Sequence, residues 1–128
     1  MKTMNLEISS VQNASTPSGE YVILKATADT NLNLYAVVDS TFNTDGSMSN
    51  EHRHIYFFPA KALKKGDSVV LFSGNGTNGV VKQFTNTNED YYAYYWKSGS
   101  CIWNDTGDNA SLIQYSNGNT VKVSALKK

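Results

Sequence analysis

Five groups of residues in this sequence could do chemistry, and the first is the polar knot from Asn104 to Asn109, "NDTGDN". Its oxygens are spaced closely enough to suggest a calcium loop or a pair of catalytic acids. An EF-hand loop needs acidic ligands at alternating positions and a distal bidentate Glu, and here strand-forming residues stand where that Glu belongs. Glycoside cleavage needs two carboxyl groups facing each other across a cleft, whereas Asp105 and Asp108 share one short stretch. The remaining reading is a turn, in which Asn104 and Asp108 accept backbone N–H groups around Gly107.

The second group, Glu51-His52-Arg53-His54, puts both imidazoles on one side of an extended chain, a partial grip for a transition metal. The sequence holds no other histidine and no third ligand is evident, so the expectation is a solvent-facing pair at a strand entry. Cys101 is the only cysteine. It can form neither an internal disulfide nor a thiolate zinc cluster, and it reads as a strand cysteine with no base beside it in sequence. The glycine-rich run 73–79 lacks the Lys-Ser/Thr ending and following helix of a phosphate loop. No nucleophile, base and metal set emerges, and the expectation is a non-enzyme with no cofactor.

The last group is the run Tyr91 to Lys97, "YYAYYWK". On a strand, alternation places Tyr91, Ala93 and Tyr95 on one face and Tyr92, Tyr94 and Trp96 on the other. One face must pack on the core. The functional expectation is that Tyr92, Tyr94 and Trp96 stand exposed as a binding stripe, stacking on sugar rings, nucleobases or a protein partner, with the opposite face as an alternative. The structural expectation is an edge strand whose aromatics pair across strands.

These residues need elements to hold them, and the pattern points to strands. Apolar residues make up 40% of the chain and charged residues 17%, a β-rich rather than disordered balance. Period-2 patches rich in Val, Ile, Tyr, Phe and Thr fall at 4–9, 20–28, 32–40, 53–58, 67–73, 80–84, 91–97, 110–116 and 120–126. Breakers separate them: 16–20, 43–47, 64–68, 73–79 and 116–119, each with a Gly where a turn can demand a positive φ. Asn117-Gly118 is the sharpest hairpin signal. Only 59–65 could form a helical turn. Eight or nine short strands at this spacing predict an all-β fold, a two-sheet sandwich or a barrel, in a single domain over 1–128. Its core is expected to hold Ile8, Val22, Leu24, Val37, Phe58, Leu63, Val69, Leu71, Trp103, Leu112 and Val121.

Two stretches then stand out together. "IYFFPAKALKKGDSVVLFSGNG" (55–76) runs from an aromatic strand through Phe58-Pro59, Leu63 and Gly66 to an apolar strand at Val69. "IWNDTGDNASLIQYSNGNTV" (102–121) carries Trp103-Asn104, Gly107-Asp108, Leu112 and Gly118. From about Glu20 to Val123 the chain resembles the lamin tail domain family, an immunoglobulin-like sandwich of nuclear lamins and many bacterial and archaeal proteins. The resemblance implies structural roles for Phe58, Pro59, Gly66, Trp103, Asn104, Gly107, Asp108 and Gly118. Pro59 ends a ladder because it has no N–H to donate, and Trp103 fills the core with its indole N–H near enough to a loop to find a partner. Two departures are visible: Leu34 and Tyr35 stand where family members often carry a Trp, and 41–54 is longer and more polar than usual.

The resemblance implies a non-catalytic interaction or targeting module with a protein or cell-surface partner, and it leans toward a secreted or surface setting as a mature or excised domain. The lone cysteine fits the cytoplasm equally. A carbohydrate-binding module built on the aromatic stripe is the alternative, and weak nucleic-acid binding a second. Eleven basic and eleven acidic side chains cancel, which disfavours nucleic acid; the local exception is Lys61, Lys64 and Lys65. No apolar run is long enough to span a bilayer, and a monomer or a weak edge-paired dimer is expected.

Overall fold

A computed structural model describes residues 4–40, 54–82, 90–98, 102–103 and 109–114. Within them lie ten strands: β1 (Leu6–Gln12), β2 (Tyr21–Ala26), β3 (Thr30–Asn31), β4 (Tyr35–Ser40), β5 (Ile55–Phe57), β6 (Ala62–Leu63), β7 (Ser68–Phe72), β8 (Gly79–Val81), β9 (Tyr91–Tyr95) and β10 (Asn109–Gln114). The protein is an all-β sandwich, as the period-2 pattern predicts. One sheet has the order β1-β2-β7-β9-β8, the other β10-β4-β5, and β3 and β6 form a short two-stranded ribbon. Every pairing is antiparallel except β7 with β9, which run parallel because β8 lies beyond β9 at the sheet edge.

Period-2 alternation sorts the side chains between the layers. Val22 and Leu24 on β2, Val69 and Leu71 on β7, and Val37 on β4 are fully buried between the sheets, with Phe58, Leu63 and Trp103 beside them. Ile8 and Leu112 pack partly buried against this core, and Ile113, one residue on, is turned outward. Val121 and the strand expected at 120–126 lie outside the described residues. Each fully buried aliphatic side chain contributes on the order of 1.5–3 kcal/mol. The other face of the five-stranded sheet carries a second cluster of Val70, Tyr91 and Ala93, bordered by Tyr21, Ile23, Phe72, Val81 and Tyr95.

The turns explain how these faces stay in register. Pro59 follows directly on Phe58, whose amide N–H bonds the Tyr35 carbonyl at 3.4 Å before the ladder stops. Gly66 sits at φ +94° in the turn before β7, a conformation only glycine adopts without strain. Among the described residues it is the only glycine with positive φ, so the other described breakers turn by other means. Residues 17–19 form a 3-10 turn with Pro17 at its start. Gly76 is needed for closeness: a Cβ there would run into the Tyr95 ring.

Three sequence expectations change. The helical turn considered for 59–65 is instead strand β6, drawn out by pairing with β3. The strand expected from 32 begins with a 3-10 turn at Leu32–Leu34, capped by the Asn31 side chain accepting from the Asn33 N–H. On β1 the register shifts between Ile8 and Ser10, a bulge that lets the strand run on to Gln12.

Candidate binding site

The aromatic strand is where the structure departs most from the sequence reading. Tyr92, Tyr94 and Trp96 do not stand exposed as a stripe. Strand β9 lies inside the five-stranded sheet, between β7 and β8, and its even-numbered side chains turn toward β5 of the other sheet. Tyr94 is only 7% exposed, and Tyr92 and Trp96 are half-buried against the core. Phe58 meets Tyr94 edge-on at 5.5 Å, Tyr56 meets Trp96 at 5.8 Å, and Trp96 meets Trp103 at 6.0 Å. The stripe is therefore largely an interlayer seam. The edge-strand reading fails as well, because β8 covers β9 on its outer side.

One end of the seam stays open. A solvent-open trough of about 240 Å³ forms there, lined by Lys61, Asn78, Gly79, Val80, Tyr92 and Tyr94. Each wall is fixed by backbone chemistry. The Lys61 amide N–H donates to Asn31 Oδ1 at 3.1 Å and the Lys61 carbonyl accepts from the Leu32 amide N–H at 2.9 Å, so the 3-10 turn holds this segment. The Lys61 ammonium then rests 4.6 Å from the centre of the Tyr92 ring, a cation–π contact. Asn78 Oδ1 accepts from the Tyr95 amide N–H at 3.2 Å. The Asn78 side chain also hydrogen-bonds Tyr56, and with Oδ1 engaged its amide group is the donor.

The phenols nearby are held neutral. Burial raises the pKa of Tyr94 above the ordinary 10.0, and the neighbouring Tyr56 and Tyr92 push in the same direction. Burial also raises Tyr56, partly offset by its hydrogen bond from Asn78. The trough thus offers hydroxyl groups, an ammonium and an apolar wall, the mix of polar and aromatic groups that small-ligand sites use. It is smaller than the roughly 300–1,000 Å³ of sites that enclose a whole drug-sized molecule, and suits one unit of a longer partner.

Two buried acids do structural work elsewhere. Glu20 is fully buried, and its Oε1 accepts from Ser73 Oγ and from the Ile102 amide N–H, both at 2.7 Å. Asp39, 1% exposed, accepts from the His54 amide N–H at 2.6 Å and sits 3.0 Å from His54 Nδ1. His54 is thus only partly the solvent-facing residue expected: its side chain is 33% exposed, while the buried Asp39 carboxylate ties both its backbone and its ring. Its partner His52, with Glu51, lies outside the described residues. Among the described residues no three His, Cys, Asp or Glu side chains are grouped as metal ligands would be.

Of the family-motif residues, Phe58 and Trp103 are buried in the core, and Pro59 and Gly66 hold the turns described above. Among the described residues the Trp103 indole N–H has no hydrogen-bond partner, and its ring meets Trp96 in a T-shaped contact; the polar loop after it lies outside the described residues. Asn104, Gly107, Asp108, Gly118 and Cys101 lie outside the described residues, as does most of the polar knot. Sequence reasoning noted Lys61 only as one of three clustered lysines. It passed over Asn78 as loop and Tyr56 as strand; the signal for all three is pairing across sheets, which a linear pattern does not carry. Among the described residues no helix is long and apolar enough to cross a membrane. No protein-family model matches the chain, and no curated protein matches it.

Proposed function

We propose that the protein is a non-catalytic binding module, as its resemblance to the lamin tail domain implies, and that it grips a cell-surface glycan in the trough beside Tyr92. The observation that carries this reading is the trough itself, a one-unit pocket with two tyrosine walls, a fixed amide and an ammonium. Sugar rings have an apolar face that packs on aromatic rings and hydroxyl groups that need donors and acceptors together. The neutral overall charge of the chain supports a partner recognised by local contacts over one drawn in by a broad field.

The test is an oligosaccharide array followed by calorimetric titration of any hit, with Tyr92→Ala as the control. The expected outcome is saturable binding by the wild type, weakened roughly tenfold or more in Tyr92→Ala, the scale of losing an aromatic anchor, with an unchanged far-UV spectrum. A wild type that binds no oligosaccharide at millimolar concentration sinks the glycan reading.

A protein partner is the second reading, favoured by strand β5. It is an edge of the three-stranded sheet among the described pairings, and its Ile55 and Phe57 are 47% and 63% exposed. Such an edge can accept a strand from another chain. A Phe57→Lys variant that loses a protein partner while keeping glycan binding would assign the two surfaces separately.

A further inference from the structure

We infer that the sugar unit held in the trough is an acidic one, a uronate or similarly carboxylated ring whose carboxylate pairs with Lys61. The inference rests on the glycan reading and narrows it.

Among the described residues, Lys61 is the only charged side chain lining the trough, and no acidic one lines it. The cation–π contact leaves its ammonium hydrogens unconsumed, because the Tyr92 ring offers a face and no acceptor lone pair in the ring plane. A neutral sugar would leave this cation with only the ring and water. A carboxylate would give it a charge-assisted hydrogen bond. The neighbouring phenols reinforce the choice. Tyr92 and Tyr94 line the trough as phenols, which near neutral pH are O–H groups that can donate to an anion and carry no negative charge to repel it. Asn78 adds orientation, since its carbonyl accepts from the Tyr95 amide N–H and its amide group, one hydrogen of which goes to Tyr56, has a second to donate. Among the described lining side chains, groups with hydrogens to give outnumber those left to accept. That imbalance is what a carboxylate, which accepts only, would match.

The position of Lys61 adds to this. Its backbone is anchored on both sides, through Asn31 and Leu32, so the base of the side chain cannot drift from the trough. Lys64 and Lys65, by contrast, are tied through their amide N–H groups to Asp67 and Asp29 in a turn on the exposed surface.

The experiment compares oligogalacturonate with the neutral galactan oligomer of the same length, by calorimetry and by amide chemical-shift mapping. Wild type and Lys61→Gln are each tested at low and moderate salt. The Lys61 backbone bonds survive in Lys61→Gln, so the trough keeps its walls. The expected result is that wild type prefers the acidic oligomer by roughly threefold to tenfold, the scale of one partly exposed ion pair. That preference should shrink with salt and vanish in Lys61→Gln, with the shift changes centred on residues 78–80 and 92. If wild type binds the neutral oligomer as tightly as the acidic one, the acidic assignment is overturned while the glycan reading stands. If acidic preference persists undiminished in Lys61→Gln, the assignment to Lys61 is overturned. If neither oligomer binds, and the array has also been blank, both readings fall together.

Discussion

At the scale of single residues, the buried acids show how a side chain unremarkable in sequence can govern a structure. Glu20 opens a strand and reads as surface charge, yet its carboxylate holds the bend at Ser73 and the segment at Ile102 to the start of β2. Its Oε2 is buried with no hydrogen-bond partner among the described residues, so burying the group costs free energy that its two Oε1 bonds offset. Truncation should orphan a buried hydroxyl and a buried amide N–H at once. Glu20→Ala is therefore expected to lose about 2–4 kcal/mol, while Glu20→Gln, which keeps an oxygen acceptor and removes the buried charge, should lose much less. Urea denaturation of the two variants measures the difference, and equal losses would mean that the negative charge, not the acceptor, is what matters. Nothing in the sequence around "SGEYV" marks Glu20 as buried. Its partners stand 53 and 82 positions away, and local pattern is blind at that range.

Elements were legible where one face is buried and the other is not. Strands β2, β7 and β10 were expected from alternation alone, because Val22, Leu24, Val69, Leu71 and Leu112 repeat every second residue. The strand β9 was also legible as a strand, but not its environment. Aromatic residues stand on both of its faces, and both are covered: one by β5, the other within the Val70–Tyr91–Ala93 cluster. A period-2 pattern cannot choose a face when both carry rings. Strand β6 was missed because its two residues are extended only through pairing with β3. The way β5 and β9 pack gives a pH prediction. Tyr94 and Tyr56 have folded-state pKa values above the ordinary 10.0. Above that pH the unfolded chain loses these protons first, so it binds fewer protons than the native state and stability falls as pH rises. The contribution is complete below about pH 10, where both states are protonated, and is lost between there and the raised native values. Tyr94→Phe should flatten this part of the stability profile, measured as urea midpoints from pH 8.5 to 11.5. An alkaline limb as steep in Tyr94→Phe as in the wild type would contradict it.

At the scale of the whole molecule, the two sheets share one interlayer core, and both tryptophans report on it. Trp103 is 3% exposed and meets Trp96, which in turn contacts Tyr56 of the opposite sheet. The chain brings these groups together through pairings distant in sequence, such as β10 with β4 and β7 with β9. Neither sheet can bury its apolar face without the other, so they should unfold as one unit. Leu71 is a suitable probe because it lies on a central strand, flanked in register by Val22 and Tyr94, and is 1% exposed. Truncating it leaves a cavity against neighbours on both strands. Leu71→Ala is expected to cost about 2–5 kcal/mol. Tryptophan fluorescence and far-UV circular dichroism should shift together to a lower urea midpoint with unchanged slope. The trough at Lys61 and Tyr92 borders this same core, so its geometry depends on the sandwich being closed. A variant in which fluorescence changes well before the strand signal would mean that the layers separate while each sheet persists. That result would overturn the single-core account and make the trough a feature that opens independently of the fold.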